Sequence, residues 1–550
     1  MLILLAFCAA LAAAQSWDKV VDLGYAEYRG ATNASTNVTT FLSIRYAAPP
    51  TQELRWRAPQ PPLVARNGGV LNATTPPPQC PQAVPQINSS PSLPLLPPGG
   101  NEDCLFLNVH FPGPTVPRKK LPVIVWIHGG GFTIGNGAAY NGADLVTEAD
   151  NGVVVVVIQY RLGIFGFLPG SRVKENGALN AGLRNSSFAY VLPSDLTRAI
   201  STPSQITKFG GDPNHVVIWG ESAGAGSVLQ HMVSRDGQTR PSLFKAGITS
   251  STFLPSQYLY NDTVPESIYS SVLTGTGCNT AADSLACLRA TNSSILQTVN
   301  AQIVHDGFFG TWTTVPVIDG EFIRRRPTEV LRSGRVNGVR TVVSSIANAS
   351  TDFEYLQRAL LAISNANEGA LFVNQTTAAS GNSSQYSLEL FPGITPAQSA
   401  AIASLYANLG SPTEQANLIM GESIFVCPSY YLLRAFPGAY RGIFAIPPSY
   451  HADDLPFYFP TGLGPRLFNN TEFITSFSQS FLDFVLHFDP NIKFDENNIT
   501  PPWERYAPTN TEMLFNRTED GQLVIRPETT DPALLERCAF WESISEFTAQ

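Results

Sequence analysis

The chain has 550 residues, 43% of them hydrophobic and 14% charged, a composition that supports a large globular core. A net charge of −9 with no Lys/Arg run excludes the electrostatic footprint of a nucleic-acid binder. The N-terminus reads "MLILLAFCAALAAAQSW", an apolar run from Leu2 to Leu11, then Ala12-Ala13-Ala14, then polar Gln15. That is the form of a secretory signal peptide cut after Ala14, although a basic residue ahead of the run is missing. The run is too short to span a bilayer. Residues 1–14 are therefore expected to be removed, and the product to be secreted. Once Cys8 leaves with the signal, six Cys remain, an even number suited to an oxidising compartment. Asn-x-Ser/Thr recurs from Asn33 to Asn516, at Asn37, Asn72, Asn88, Asn185, Asn261, Asn382, Asn469 and Asn498 among others, which suits a glycosylated surface.

Along the chain, "TPPPQCPQAVPQINSSPSLPLLPPGG" (75–100) reads as a Pro-rich loop. Short runs that are apolar throughout follow at 121–127, 153–158, 216–219, 360–364 and 441–446. Such runs suit strands buried on both faces, as in a mainly parallel sheet covered by helices. Helical spacing appears between them, for instance at 476–488. The fold class is α/β. No linker divides the chain, and residues 15–550 read as one domain.

Gly220-Glu221-Ser222-Ala223-Gly224 matches G-x-S-x-G, placed after the apolar run 216–219 and before a helical stretch. In that context the serine sits in a tight, strained turn with its Oγ above the sheet, and side chains at the two glycines would collide with the neighbouring strand and helix. The helix N-terminus beneath favours developing negative charge. "WIHGGGFTIG" (126–135) follows another buried strand. Backbone N–H groups serve as oxyanion donors, and glycine lets the backbone approach substrate. Gly130, Gly131 and Ala223 are the candidates for that role.

These stretches, with "FLSIRYAAPP" and "LRWRAPQPP" (41–62), "NEDCLFLNV" (101–109), "QYRLGIFGFL" (159–168) and "RCAFWESI" (537–544), closely resemble the type-B carboxylesterase/lipase family, related to the cholinesterases and of α/β-hydrolase fold. The chain looks like a secreted, fungal-type member. The resemblance implies a large mainly parallel sheet flanked by helices and a triad in the order Ser, acid, His. Of seven histidines, only His451 and His487 lie late in the chain. His487 sits on the aromatic-rich helix and reads as structural. His451, in "IPPSYHADDLPFYF" just past the strand at 441–446, resembles the family's histidine loop and is taken as the base. "NEGALFV" (367–373) resembles the family's acid turn and makes Glu368 the third member, with Asp352 and Glu354 of "ASTDFE" as rivals. The resemblance also implies the disulfides Cys80–Cys104, Cys278–Cys287 and Cys427–Cys538. In family lipases the loop closed by the first pair acts as a lid, in which Ile87, Leu93, Leu95 and Leu96 would cover an acyl site and touch a lipid interface. That loop holds no aromatic face for cation–π capture of choline, which disfavours a cholinesterase.

Two segments depart from the family pattern. After "GALNAGL" (177–183) the family continues into a D-Q-x-x-A-L-x-W-V helix, which is not recognisable in residues 184–206. Pro193 and Pro203 oppose a continuous helix there. Excising residues 342–359 would join "NGVRT" to "LLAIS" in the usual manner. Both segments are expected to be gene-model errors, such as an unspliced short intron, which sequencing of the transcript across them tests. The function expected is a secreted serine carboxylic-ester hydrolase acting on a small-molecule or lipid ester, with no cofactor or metal. A non-catalytic adhesion member of the family, or a product disabled by the two segments, is the alternative.

Overall fold

All five residues of Val154–Ile158 are buried, which requires a strand covered on both faces. This strand is β7 in a computed structural model that describes residues 19–64, 69–89, 99–191, 205–338, 341–343, 355–357 and 359–550. The strands are β1 (Lys19–Asp22), β2 (Glu27–Asn33), β3 (Val38–Arg45), β4 (Val70–Asn72), β5 (Phe106–Pro112), β6 (Leu121–Ile127), β7, β8 (Gly211–Glu221) and β9 (Ala246–Ser250). Then come β10 (Thr341–Val343), β11 (Tyr355–Gln357), β12 (Ala359–Asn365), β13 (Tyr440–Phe444), β14 (Thr511–Arg517) and β15 (Leu523–Thr529). Among the described residues thirteen strands form one sheet in the order β1-β2-β3-β5-β7-β6-β8-β9-β12-β13-β14-β15, with β4 beside β2. β10 and β11 pair separately and antiparallel.

The pairing from β7 through β14 is parallel. Both rims are antiparallel, β1-β2-β3-β5-β7 on one side and β14-β15 on the other. The sheet is thus mainly parallel, as the apolar runs imply, with antiparallel pairs added at both rims and β4 parallel to β2. The rim strand β15 runs from half-buried to exposed residues, so no continuous apolar run marks it.

Alternation along the central strands separates two cores, since successive side chains point to opposite faces. Val125, Ile127 and Ile218 join one core, with Val228 and Met232 of the helix Ala223–Gly237. Ile124, Trp126, Val217 and Trp219 join the other, with Phe473, Phe477 and Phe481 of the helix Thr471–His487. On that face the Trp219 ring stacks on Phe481 at 5.4 Å. Full burial of each such ring stabilises the fold by about 1.5–3 kcal/mol relative to exposure. His487 ends this helix exposed to solvent.

One expectation is corrected here. A helix does form after "GALN", over Ala181–Val191. It packs on the helix Ala223–Gly237, where Ser186 Oγ lies 2.8 Å from His231 Nε2 and Leu183 and Ala189 are buried. Pro193, Pro203 and most of residues 342–359 fall outside the described residues. Cys80–Cys104, Cys278–Cys287 and Cys427–Cys538 are bonded at S–S distances of 2.03, 2.06 and 2.00 Å. Among the sequons, Asn33, Asn37, Asn72, Asn261, Asn382 and Asn469 are exposed. Asn185 and Asn498 are buried, the first against Arg161 and the second against Asp483. Asn88 spends its amide on the carbonyls of Ala370 and Val373.

Candidate active site

Ser222 stands between β8 and the helix Ala223–Gly237, at φ 57° and ψ −122°. That is a left-handed, strained conformation, which persists only where neighbours enforce it. The neighbours are visible. A Cβ on Gly220 would lie 2.3 Å from the backbone carbon of Gly224, and one on Gly224 would lie 2.0 Å from the Ile127 carbonyl oxygen. Strand, turn and helix therefore meet at a distance only glycine permits. Hydrogen bonds from Ser222 N–H to Ser250 O (2.9 Å) and from Gly226 N–H to Ser222 O (2.8 Å) fix the turn.

Gly129, Gly130 and Gly131 run alongside. A Cβ on Gly129 would stand 2.9 Å from Ser222 Cβ. Gly130 and Gly131 have φ of 102° and 59°, and the Gly130 carbonyl accepts from the N–H groups of Thr133 and Ile134. Ala223 is the first helical residue, so its N–H has no intrahelical acceptor. Tyr160 OH holds the loop from below by donating to His128 O at 2.7 Å.

His451 and Glu368, 83 residues apart, are in contact: His451 Nδ1 lies 2.5 Å from Glu368 Oε2. Two turns bring them there. Glu368 follows β12 and His451 follows the adjacent β13, and Asn367 pairs with Tyr450 in an isolated parallel bridge. The second carboxylate oxygen, Oε1, accepts from Asn365 N–H at 2.7 Å. Both residues are buried, at 1% and 2% exposure. His451 Nε2 has no hydrogen-bond partner among the described residues and lies 4.0 Å from Oε1 of Glu221, the residue before Ser222. The structure thus joins His451 to Glu368 and turns the free ring nitrogen toward the strand end that carries Ser222. Asp352 and Glu354 lie outside the described residues. So do Leu93, Leu95 and Leu96, whereas Ile87 is half-buried against the core.

Sequence reasoning missed two groups beside this cluster. The first is acidic. Burial, then the charges of Asp454 and Glu368, push Glu221 well above the usual carboxylate range. Burial likewise pushes Asp454 up to about 6, against a bond donated by Asn365 Nδ2 to Asp454 Oδ1 at 3.1 Å. The signal was present, since Glu221 lies inside the G-x-S-x-G motif and Asp454 in "HADD". The second is aromatic. Phe425 and Phe372 pack on the His451 ring at 4.5 and 5.0 Å, and Trp312 packs on Phe372 and Phe253 at 4.9 Å each.

The raised Asp454 has a consequence for stability. Folding favours its protonated form, so its contribution is intact below about pH 4 and is lost as pH rises through about 6. Asp454→Asn keeps an oxygen for Asn365 and removes the charge. The variant is expected to melt like the wild type at pH 4 and to gain up to about 3 kcal/mol over it at pH 8. Thermal unfolding across that range checks this; a gain confined to acid would contradict it.

A family model described as the carboxylesterase family matches residues 18–541. Lipase 2 of Geotrichum candidum is 30% identical over 524 residues, covering 87% of this chain and 88% of that protein. Secreted lipase 1 of Botryotinia fuckeliana is 32% identical over 347 residues, 59% of this chain and 58% of that protein. Among solved structures, Aspergillus niger EstA superposes with a TM-score of 0.79 at 26% identity, over 98% of this chain and 99% of that one.

Proposed function

Because the chain belongs to the carboxylesterase family of carboxylic ester hydrolases, we propose that it cleaves its ester through Ser222, His451 and Glu368 and works as a secreted enzyme. His451 Nε2 takes the proton of Ser222 Oγ as the oxygen attacks the ester carbonyl. The tetrahedral oxyanion is met by the N–H groups of Gly130, Gly131 and Ala223. His451 then returns the proton to the leaving alcohol, and water repeats the sequence on the acyl-enzyme. Glu368 holds the imidazole with Nδ1–H toward itself and stabilises the imidazolium. The observation that supports this reading most is the buried 2.5 Å contact of His451 with Glu368, set beside a serine held at positive φ. Secretion and a single catalytic unit after residue 14 are supported by the signal-like N-terminus, three disulfides and the secreted relative named above.

A fluorophosphonate probe tests it. The secreted protein is expected to take up one equivalent, to lose hydrolysis of p-nitrophenyl butyrate in step, and to yield a labelled peptide that maps to Ser222. A folded protein that neither labels nor hydrolyses that ester would overturn the reading.

A further inference from the structure

No long basic run marks this acidic chain, but the fold sets two arginine-bearing segments side by side, residues 234–240 and 320–337. Arg235 N–H donates to Phe322 O at 2.9 Å, Arg325 Nε pairs with Asp236 Oδ1 at 3.1 Å, and Thr239 N–H donates to Asn337 Oδ1 at 2.9 Å. Together the segments hold seven arginines and no lysine, against three carboxylates. Each carboxylate is already taken: Asp236 by Arg325, Glu321 by Arg184 at 2.9 Å, and Glu329 by Arg326 at 3.4 Å. Arg332 reaches Glu542 at 3.7 Å. Arg235, Arg240, Arg324 and Arg335 are exposed and have no ion-pair partner among the described residues. The helix Ala223–Gly237 carries the chain away from Ser222 at about 1.5 Å per residue, so Arg235 stands roughly 18 Å off. The chain then enters β9 beside the start of the buried run of β8, with Lys245 N–H donating to Val216 O at 2.8 Å. Since β8, β9, β12 and β13 are parallel, these arginines lie at the strand ends opposite those that carry Ser222, Glu368 and His451.

We propose that this arginine face binds a linear carboxylated polysaccharide, a polyuronate, and holds the enzyme on it with the reaction centre turned to solution. This rests on the protein being secreted. The planar guanidinium fork matches a carboxylate with two parallel hydrogen bonds, and all seven cations are arginine. Four unpaired guanidiniums spread over one face are met by a polymer with one carboxylate per sugar, whereas a single small anion meets only one of them. The net charge of −9 does not keep such a polymer away, because charges more than about 8–10 Å off are screened at physiological ionic strength. A membrane fits this face less well. None of the large apolar side chains exposed among the described residues lies in either segment, so nothing here inserts among lipids. A bilayer on this side would also face away from Ser222. Neither segment contains an Asn-x-Ser/Thr site, so no glycan is attached on the face itself.

The test measures the dissociation constant of the purified full-length protein for soluble polygalacturonate, beside neutral dextran and vesicles of phosphatidylserine. The wild type is expected to bind polygalacturonate, to ignore dextran, and to lose about 10-fold in affinity between about 50 and 200 mM NaCl as counterions compete. A variant combining Arg235→Gln, Arg240→Gln, Arg324→Gln and Arg335→Gln should bind about 10-fold or more weakly at the lower salt, the sum of four modest exposed contacts. Its kcat/KM for p-nitrophenyl butyrate should equal that of the wild type, which also shows that it is folded. The same four positions changed to lysine keep the charge and lose the fork, and should bind between the two. A wild type that does not bind polygalacturonate, or a folded four-glutamine variant that binds it undiminished, would overturn the proposal. So would vesicles bound more tightly than polygalacturonate through the same arginines, which would give the face to a membrane. Failure of the secretion reading looks different: the protein would stay inside the cells that express it, whatever affinity the purified chain shows.

Discussion

Ser222→Ala is expected to lower kcat for p-nitrophenyl butyrate by about 10⁶-fold while leaving the melting temperature within a degree or two of the wild type. The size of the loss follows from removing the atom that forms the covalent intermediate, which leaves only substrate binding and the oxyanion donors to act on water. The small stability effect follows from the turn. Positive φ at residue 222 is imposed by the contacts of Gly220 with Gly224 and of Gly224 with Ile127, and alanine meets the same backbone strain there as serine, since both carry a Cβ. The hydrogen bonds that hold the turn are made by main-chain atoms of residue 222 and survive the substitution. Residual activity above about one part in 10³, in a sample freed of wild-type enzyme, would move the nucleophile elsewhere.

What was legible in the sequence is what short-range geometry forces. The two glycines around Ser222 are required by approaches of 2.3 and 2.0 Å, so strand, motif and helix were readable together. Glu368 and His451 were legible through chain order and the resemblance of their turns, and the structure puts them in contact because β12 and β13 are neighbours in register, Asn365 opposite Phe444. Trp312 was not legible. It stands 181 residues from Gly131 in the chain, and nothing local to "FFGTWTTVPV" says that its ring will rest on a glycine of another loop. The helix Ala181–Val191 was misread for a related reason. "AGLRNSSFAYV" has weak intrinsic preference and Pro193 follows at once, yet buried Leu183 and Ala189 and the Ser186–His231 contact support it from outside. The rim strand β15 left no mark in the sequence because a strand half open to solvent carries no unbroken apolar run.

Glu368→Gln is expected to cost about 10⁴-fold in kcat with little change in KM. The argument turns on Asn365. Its backbone N–H donates to Glu368 Oε1 at 2.7 Å, in a site that is 2% exposed. A glutamine there must keep its oxygen on that N–H, because turning its amide around would set two donors against each other in a buried place. Its NH₂ then faces His451 Nδ1, 2.5 Å from the present carboxylate oxygen. Donating to Nδ1 fixes the imidazole with its proton on Nε2, the nitrogen that must accept from Ser222. The ring stays in place, packed by Phe425 and Phe372, but in the tautomer that does not serve as a base, and the imidazolium formed in the transition state loses its counter-charge. Glu368→Asp, which keeps the charge and shortens the reach, should fall between the two. Asp352→Asn and Glu354→Gln should stay within a few-fold of the wild type. If instead Glu368→Gln remains within 10-fold and one of those two variants loses activity by orders of magnitude, the acid lies in the segment before β12, and the contact of Glu368 with His451 serves only to hold the histidine loop.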